Sequence, residues 1–186
     1  NNKKEKLHLD NENFKNKKDG IEIRNNNDIK TAINKDFKPG EIIAVRDHIN
    51  FMGANPLVGA DEPRWNSRFP DMSNAYYPGF IEILENFGLR TGVYAAFMGP
   101  SFETPSEVKM AGILGADLAG MSTIPEVLAA NAMDMKICVL SCVANMAAGI
   151  EHDKILTEAE VLTQMKNKRT KSFLFCYNIF IIFFKI

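Results

Sequence analysis

The sequence predicts an α/β domain built on a parallel sheet, and three observations carry that prediction. Between Gly92 and Lys166, apolar runs of strand length alternate with helical stretches. Each helical stretch opens on a Thr followed three residues later by a Glu: Thr104-Pro105-Ser106-Glu107, Thr123-Ile124-Pro125-Glu126 and Thr157-Glu158-Ala159-Glu160. That is the pattern of a capping box, in which the Thr hydroxyl and the Glu carboxylate each take one of the free N–H groups of a first turn. Glycine marks stops, at Gly88 and Gly115. Consecutive strand-to-helix units imply crossover connections, hence parallel strands whose carboxyl ends face one way.

In chain order, residues 1–30 are rich in Asn and Lys and poor in apolar side chains, so they are expected to be disordered. Glu41 to Val45 follows Pro39-Gly40 and reads as a strand. Asp47 to Asp71, rich in Asn, Pro, Gly and Arg, reads as one long loop, a length that usually serves function or lacks order. Pro78 suits the first turn of a helix running to Phe87. A strand over 92–98, a helix from Thr104, a strand from Ala116 to Met121, a helix to about Met133, a strand from Lys136 to Val143 and a helix over 158–166 complete the series. After the basic stretch Lys166 to Lys171 the chain turns apolar from Ser172 and ends Phe180-Ile181-Ile182-Phe183-Phe184-Lys185-Ile186. That run is shorter than the ~20 residues a spanning helix needs. Residues 167–186 are therefore expected outside the fold, a membrane-surface anchor being the weaker alternative. The domain proper is placed at 31–166, too small a sheet to be a whole doubly wound unit.

The chain has 186 residues, 46% of them hydrophobic, and a formal net charge of −1. It lacks the basic excess of a nucleic-acid binder. Cys138, Cys142 and Cys176 form no Cys-x-x-Cys, which together with a polar start fits a reduced, cytoplasmic setting.

If the strands are parallel, Phe102 and Glu103, then Met121, Ser122 and Thr123, then Asn145 meet at one crevice, where open α/β sheets bind ligands. An aromatic ring beside a carboxylate suits a flat heterocycle with an N–H to donate. Ser122 and Thr123 stand where free N–H groups and a helix dipole favour an anion. A primary amide such as Asn145 donates and accepts at once. Each also has an ordinary structural alternative: Phe102 and Met121 as core, Glu103 and Thr123 as caps, Asn145 as a turn residue. No Gly-x-Gly-x-x-Gly follows a strand, which disfavours a dinucleotide-binding domain.

The strings Asp47-His48-Ile49-Asn50, Asn55-Pro56-Leu57-Val58-Gly59, Arg68 to Ser73, Gly99 to Thr104, Gly120-Met121-Ser122-Thr123-Ile124-Pro125-Glu126, and Ser141 to Asn145 with Ala147-Ala148-Gly149, resemble the trimeric purine nucleoside phosphorylases in order and spacing. The resemblance implies a three-layer α/β sandwich around a mixed sheet, here a partial domain with a mostly parallel sheet. It implies reversible phosphorolysis of 6-oxopurine nucleosides and their deoxy analogues, with inorganic phosphate as co-substrate, no metal or cofactor, and a cytoplasmic homotrimer serving purine salvage. By the same resemblance Glu103 recognises the base, Asn145 faces purine N7 and O6, Phe102 lines the base, Met121 the ribose and Ser122 the phosphate. The chain also departs from the family. Residues 1–30 offer no counterpart to its glycine-rich phosphate loop, its Arg and His phosphate clamp or its sugar-site Tyr. Thr31-Ala32-Ile33-Asn34 stands where the family has Asn-Ala-Ala-Gly-Gly. Glu158 aligns with a ribose-site His that His152, six residues earlier, does not replace. His48 reads as loop structure, and Phe51 is the nearest match to the Phe that closes a neighbouring subunit's site. A catalytically inactive member that keeps only purine binding is the alternative.

Overall fold

The computed structural model of the chain describes residues 21–26, 30–59, 62–151 and 179–184. Among these the elements run β1 (Ile21–Asn26), β2 (Thr31–Ala32), β3 (Ile42–Asn50), α1 (Pro78–Asn86), β4 (Arg90–Ala96), α2 (Pro105–Ile113), β5 (Leu118–Gly120), α3 (Ile124–Ala132), β6 (Lys136–Cys142), β7 (Asn145–Met146) and β8 (Ile179–Phe184). The expected helix over 158–166, the Thr157 box, Glu158, His152 and Cys176 lie outside the described residues.

The strands form one eight-stranded sheet in the order β1-β8-β6-β3-β4-β5-β2-β7. Its centre is parallel, β3 beside β4 and β4 beside β5. One expectation needs correcting: β6 pairs with β3 antiparallel. A strand buried on both faces reads the same in either direction, so an apolar run cannot reveal its own orientation. Orientation is decided by where the connection lands, and α3 delivers β6 beyond both β4 and β3 rather than next to β5.

Strand β3 also outruns its expected end. Instead of stopping at Val45 it continues to Asn50 through a register shift between Val45 and Asp47, pairing to Asn50↔Ala96. A bulge of this kind re-aims side chains while the main-chain ladder goes on, so polar Asp47, His48 and Asn50 can extend a strand that hydrophobic alternation would have ended. The long loop accordingly starts after Asn50.

Two terminal segments expected outside the fold supply strands. β8 pairs antiparallel with both β6 and β1. An open edge such as that of β6 presents a row of unpaired N–H and C=O groups, and a run as β-prone as Ile-Phe-Ile-Ile-Phe-Phe answers it.

Alternation along β4 divides the core into two. Tyr94 and Ala96 pack with Ile124, Val127 and Leu128 of α3. Ala95 packs instead with Val108 and Ala111 of α2. Successive strand residues face opposite ways, so α2 and α3 cover opposite faces and the domain has three layers. No helix among the described residues is long and apolar enough to cross a membrane.

Candidate active site

The strand registers place the base-side candidates. Ala95 pairs with Ala119, Ala119 with Thr31 and Thr31 with Asn145, a single row across four strands. Residues paired directly across a ladder share a face, and Ala95 and Ala119 belong to the α2 side. Asn145 therefore stands on the face that α2 covers. Glu103 lies immediately before Thr104, the N-cap of α2. Gly149, shortly after β7, comes so close to that helix start that a Cβ on it would fall 2.8 Å from the Cβ of Pro105. Although β7 does not run parallel to β4, Asn145 thus stands on the face that α2 covers, and the segment after it packs against the start of α2, where Glu103 precedes the N-cap.

Both are buried with work undone. Glu103 is 7% exposed and Asn145 6%. Glu103 Oε1 and Asn145 Oδ1 have no hydrogen-bond partner. Asn145 Nδ2 donates to Met146 O at 2.7 Å, which holds the amide plane and leaves its second hydrogen and its oxygen for something else. An orphaned buried acceptor costs about 1–3 kcal/mol, a cost that a polar ligand donating to it would repay. Burial pushes the Glu103 carboxyl above its ordinary range. Its own backbone N–H opposes that push, the Glu107 charge adds to it, and the charge of Lys30 opposes it. Phe102, next in line, is half-buried.

The loops after β4 and β5 pack on each other beside this pair. Gly99 has φ +68, and a Cβ there would meet Met121 Sδ at 2.5 Å, so only glycine lets the two loops close. Met121 is half-buried and Ser122 is buried. The segment that follows corrects a further expectation: Thr123 is not a side-chain cap of α3. It adopts φ 80, ψ −51, and Ile124 N donates to Ser122 O at 2.9 Å, so Thr123 is the centre of a classic γ-turn. An N-cap needs extended backbone to swing its hydroxyl over the first turn. Thr104, at φ −72, ψ 160, has it and forms the expected box with Glu107. Thr123 instead holds strain of about 1–3 kcal/mol, at the point where the chain passes Ser122 to the helix.

Lys30 is a residue the sequence did not single out. It is 1% exposed, its Nζ donates to Ser122 Oγ at 2.5 Å, and it stands 5.4 Å from the centre of the Tyr94 ring. A lysine closing an Asn/Lys-rich stretch carries no periodic signal of burial. Only the two-residue β2 strand, wedged between β5 and β7, draws it inside.

His48 Nδ1 lies 3.0 Å from Tyr76 Oη, with burial lowering the His48 pKa and raising that of Tyr76 well above the ordinary range. That pair ties β3 to the segment before α1, a structural contact. Phe51 packs on Phe97 of the same chain, ring centres 5.1 Å apart.

A sequence profile described as the phosphorylase superfamily matches residues 32–178. The chain belongs to the phosphorylase superfamily. Purine nucleoside phosphorylase 1 of Bacillus subtilis (strain 168) is 42% identical over 140 residues, covering 69% of this chain and 52% of that protein. Among solved structures, the Schistosoma mansoni purine nucleoside phosphorylase in complex with inosine superposes with TM-score 0.68 at 33% identity, over 76% of this chain and 54% of that one. The Schistosoma mansoni enzyme in complex with adenosine gives TM-score 0.66 at 33% identity, over 73% and 53%. The chain spans about half the length of the curated relatives it matches. The superfamily's mixed α/β architecture is the one found here.

Proposed function

We propose that this chain carries the base-recognising half of a purine nucleoside phosphorylase, which cleaves inosine, guanosine and their deoxy analogues with inorganic phosphate to give free base and pentose 1-phosphate. The observation that carries the reading is the pair of buried, unpartnered acceptors, Glu103 Oε1 before the N-cap of α2 and Asn145 Oδ1 on the sheet face that α2 covers. A 6-oxopurine carries an N1–H for an ionised Glu103; as the glycosidic bond breaks, N7 becomes basic, takes a proton from water and presents the resulting N–H to Asn145 Oδ1. The free hydrogen of Asn145 Nδ2 is left for O6. The donor contact of Asn145 Nδ2 to O6 strengthens as negative charge moves onto the leaving purine, and a single well-aimed donor of this type contributes about 3–4 kcal/mol to a barrier. Phe102 would line the base, Met121 the ribose, and Ser122 the phosphate.

Phosphate itself is the nucleophile, so the reading calls for no metal, cofactor or Ser-His-Asp triad. Adenine offers a lone pair, not a donor, at N1. A site built on such a hydrogen bond can discriminate by about 10⁴–10⁵. One relative is solved with adenosine bound, so the preference is to be read in turnover rather than in binding. The same reading makes the subunit part of a trimer, in which the exposed Val58 and Phe69, 81% and 87% accessible and lining an open groove of about 380 Å³, would be covered by another copy. Exposed apolar patches mark protein contacts, membrane contacts or ligand grooves, and another copy of the chain is the occupant this reading names.

The test is phosphorolysis of inosine and adenosine by the purified chain, with hypoxanthine binding by calorimetry. Turnover of inosine well above adenosine is the expected result. Equal turnover of the two would overturn the Glu103 assignment. Hypoxanthine binding without turnover would select the binding-only alternative, and no binding would remove the purine reading.

A further inference from the structure

We propose that Thr31 is a specificity-determining residue of the base site, its hydroxyl donating to the 6-oxo group of the purine beside Asn145. The assignment rests on the purine reading for its ligand and on the sheet for its placement. Thr31 pairs with Ala119 on one side and with Asn145 on the other. Ala119 packs in the cluster beneath α2, and so does Ile33, two residues beyond Thr31. Ala32, between them, packs in the opposite cluster. Strand alternation therefore turns the Thr31 side chain to the α2 face, where Asn145 also stands. Neighbouring strands lie about 4.8 Å apart, so the two side chains are immediate neighbours.

Thr31 is 2% exposed, and its Oγ1 has no hydrogen-bond partner, nor has the adjacent Asn145 Oδ1. A threonine hydroxyl can donate to an amide oxygen, yet these neighbours do not bond each other. Leaving a buried hydroxyl without a partner is costly. Valine has the same branched outline and a similar propensity for strands, and it would be buried there without that cost. A hydroxyl at 31 therefore calls for a ligand that answers it. No residue of the Asn-Ala-Ala-Gly-Gly stretch to which Thr31 corresponds carries a hydroxyl, so the group is this chain's own. The purine edge decides which atom it meets. Asn145 Oδ1 takes the single hydrogen of N7–H, and Asn145 Nδ2 takes one lone pair of O6. N7–H then has nothing left to give, whereas O6 keeps a second lone pair. A hydroxyl on the strand beside Asn145 can fill it, and a donor there strengthens as negative charge moves onto the leaving base. Adenine presents amino hydrogens at that place instead, so the same contact favours 6-oxopurines.

The experiment is calorimetric titration of the full chain with hypoxanthine and with 6-mercaptopurine, for the native chain, Thr31→Val and Thr31→Ser. 6-Mercaptopurine keeps N1–H and N7–H but puts sulfur, a weak acceptor, in place of O6. We expect Thr31→Val to weaken hypoxanthine about 5- to 10-fold and to change 6-mercaptopurine less than about 2-fold. Its stability in urea should equal or exceed that of the native chain, because the unanswered hydroxyl is gone. Thr31→Ser, which keeps the hydroxyl, should hold hypoxanthine within about 3-fold of native. In the native chain the Thr31 methyl resonance should move on saturation with hypoxanthine, a readout that stands even if a variant fails to fold. Equal losses for the two bases, tighter hypoxanthine binding by Thr31→Val, or a methyl resonance that the base does not move overturns the proposal. Hypoxanthine binding that Thr31→Val leaves unchanged overturns it too and leaves the purine reading standing. A native chain that does not bind hypoxanthine removes both.

Discussion

The starts of α2 and α3 look alike in sequence and behave as opposites in the fold. Thr104-Pro105-Ser106-Glu107 closes on itself: Thr104 Oγ1 accepts from Glu107 N, and Thr104 N donates to Glu107 Oε2 at 2.7 Å. Thr123-Ile124-Pro125-Glu126 carries the same Thr and Glu at the same spacing, yet its backbone turns through φ 80 and no side-chain cap forms. The first helix start is self-satisfied, so its neighbour Glu103 can be spent on a ligand. The second is kept open and strained, with Ser122 tied to Lys30 rather than to the helix. A cap motif reports what a segment can do locally; whether it does so depends on the backbone imposed from outside.

The comparison can be broken, and the largest effect should come from the α2 end. Glu103→Ala should weaken hypoxanthine about 10- to 100-fold, the worth of a hydrogen bond to a charged group, while leaving phosphate binding nearly unchanged. Equal losses for both ligands would show that the two ends are not separable.

The same residue sets a pH dependence whose direction follows from its environment. The folded pKa of Glu103 is raised above its ordinary value of 4.5, chiefly by burial. Its contribution to stability is then fully present below the unfolded pKa and is lost as pH rises through the folded one. Glu103→Gln should therefore be more stable than the native chain at pH 7 and should lose that advantage below pH 4.5. Hypoxanthine affinity should move the other way, rising with pH as Glu103 ionises. Urea unfolding at several pH values checks the first expectation and calorimetry the second.

Smaller effects distinguish the two threonines. Thr104→Ala removes a working cap and should cost about 1 kcal/mol in urea unfolding, with no change in phosphate affinity. Thr123→Gly releases about 1–3 kcal/mol of turn strain but empties a fully buried site. The two terms oppose, and stability should stay within about 1 kcal/mol. A loss at Thr123 well beyond about 1 kcal/mol would mean that no strain is released there to offset the emptied site.

Much of this was legible in the chain. Pro78 and Gly88 bracketed α1 because ring-fixed φ and a left-handed glycine are local properties, and Gly88 has φ +83. Glu103 and Asn145 stood out because each is a polar group placed just past an apolar strand, where open α/β sheets bind ligands. The direction of β6 was hidden, because an apolar run has no polarity of its own. Strand β3 beyond Val45 was hidden because main-chain pairing, not side-chain alternation, extends it. Lys30 was hidden most deeply: in sequence it belongs to a solvated basic stretch, and in the fold it is among the most buried side chains.

The sequence by itself determined where strands and helices form and which chemical groups stand at their ends, because capping, turn chemistry and burial patterns act over a few residues. Only the tertiary structure decided which of two identical caps would close, which way β6 would run, and that a lysine at 30 would reach a serine at 122. Those outcomes are set by strand order and register, which pair residues some ninety positions apart and leave no trace in any short stretch of chain.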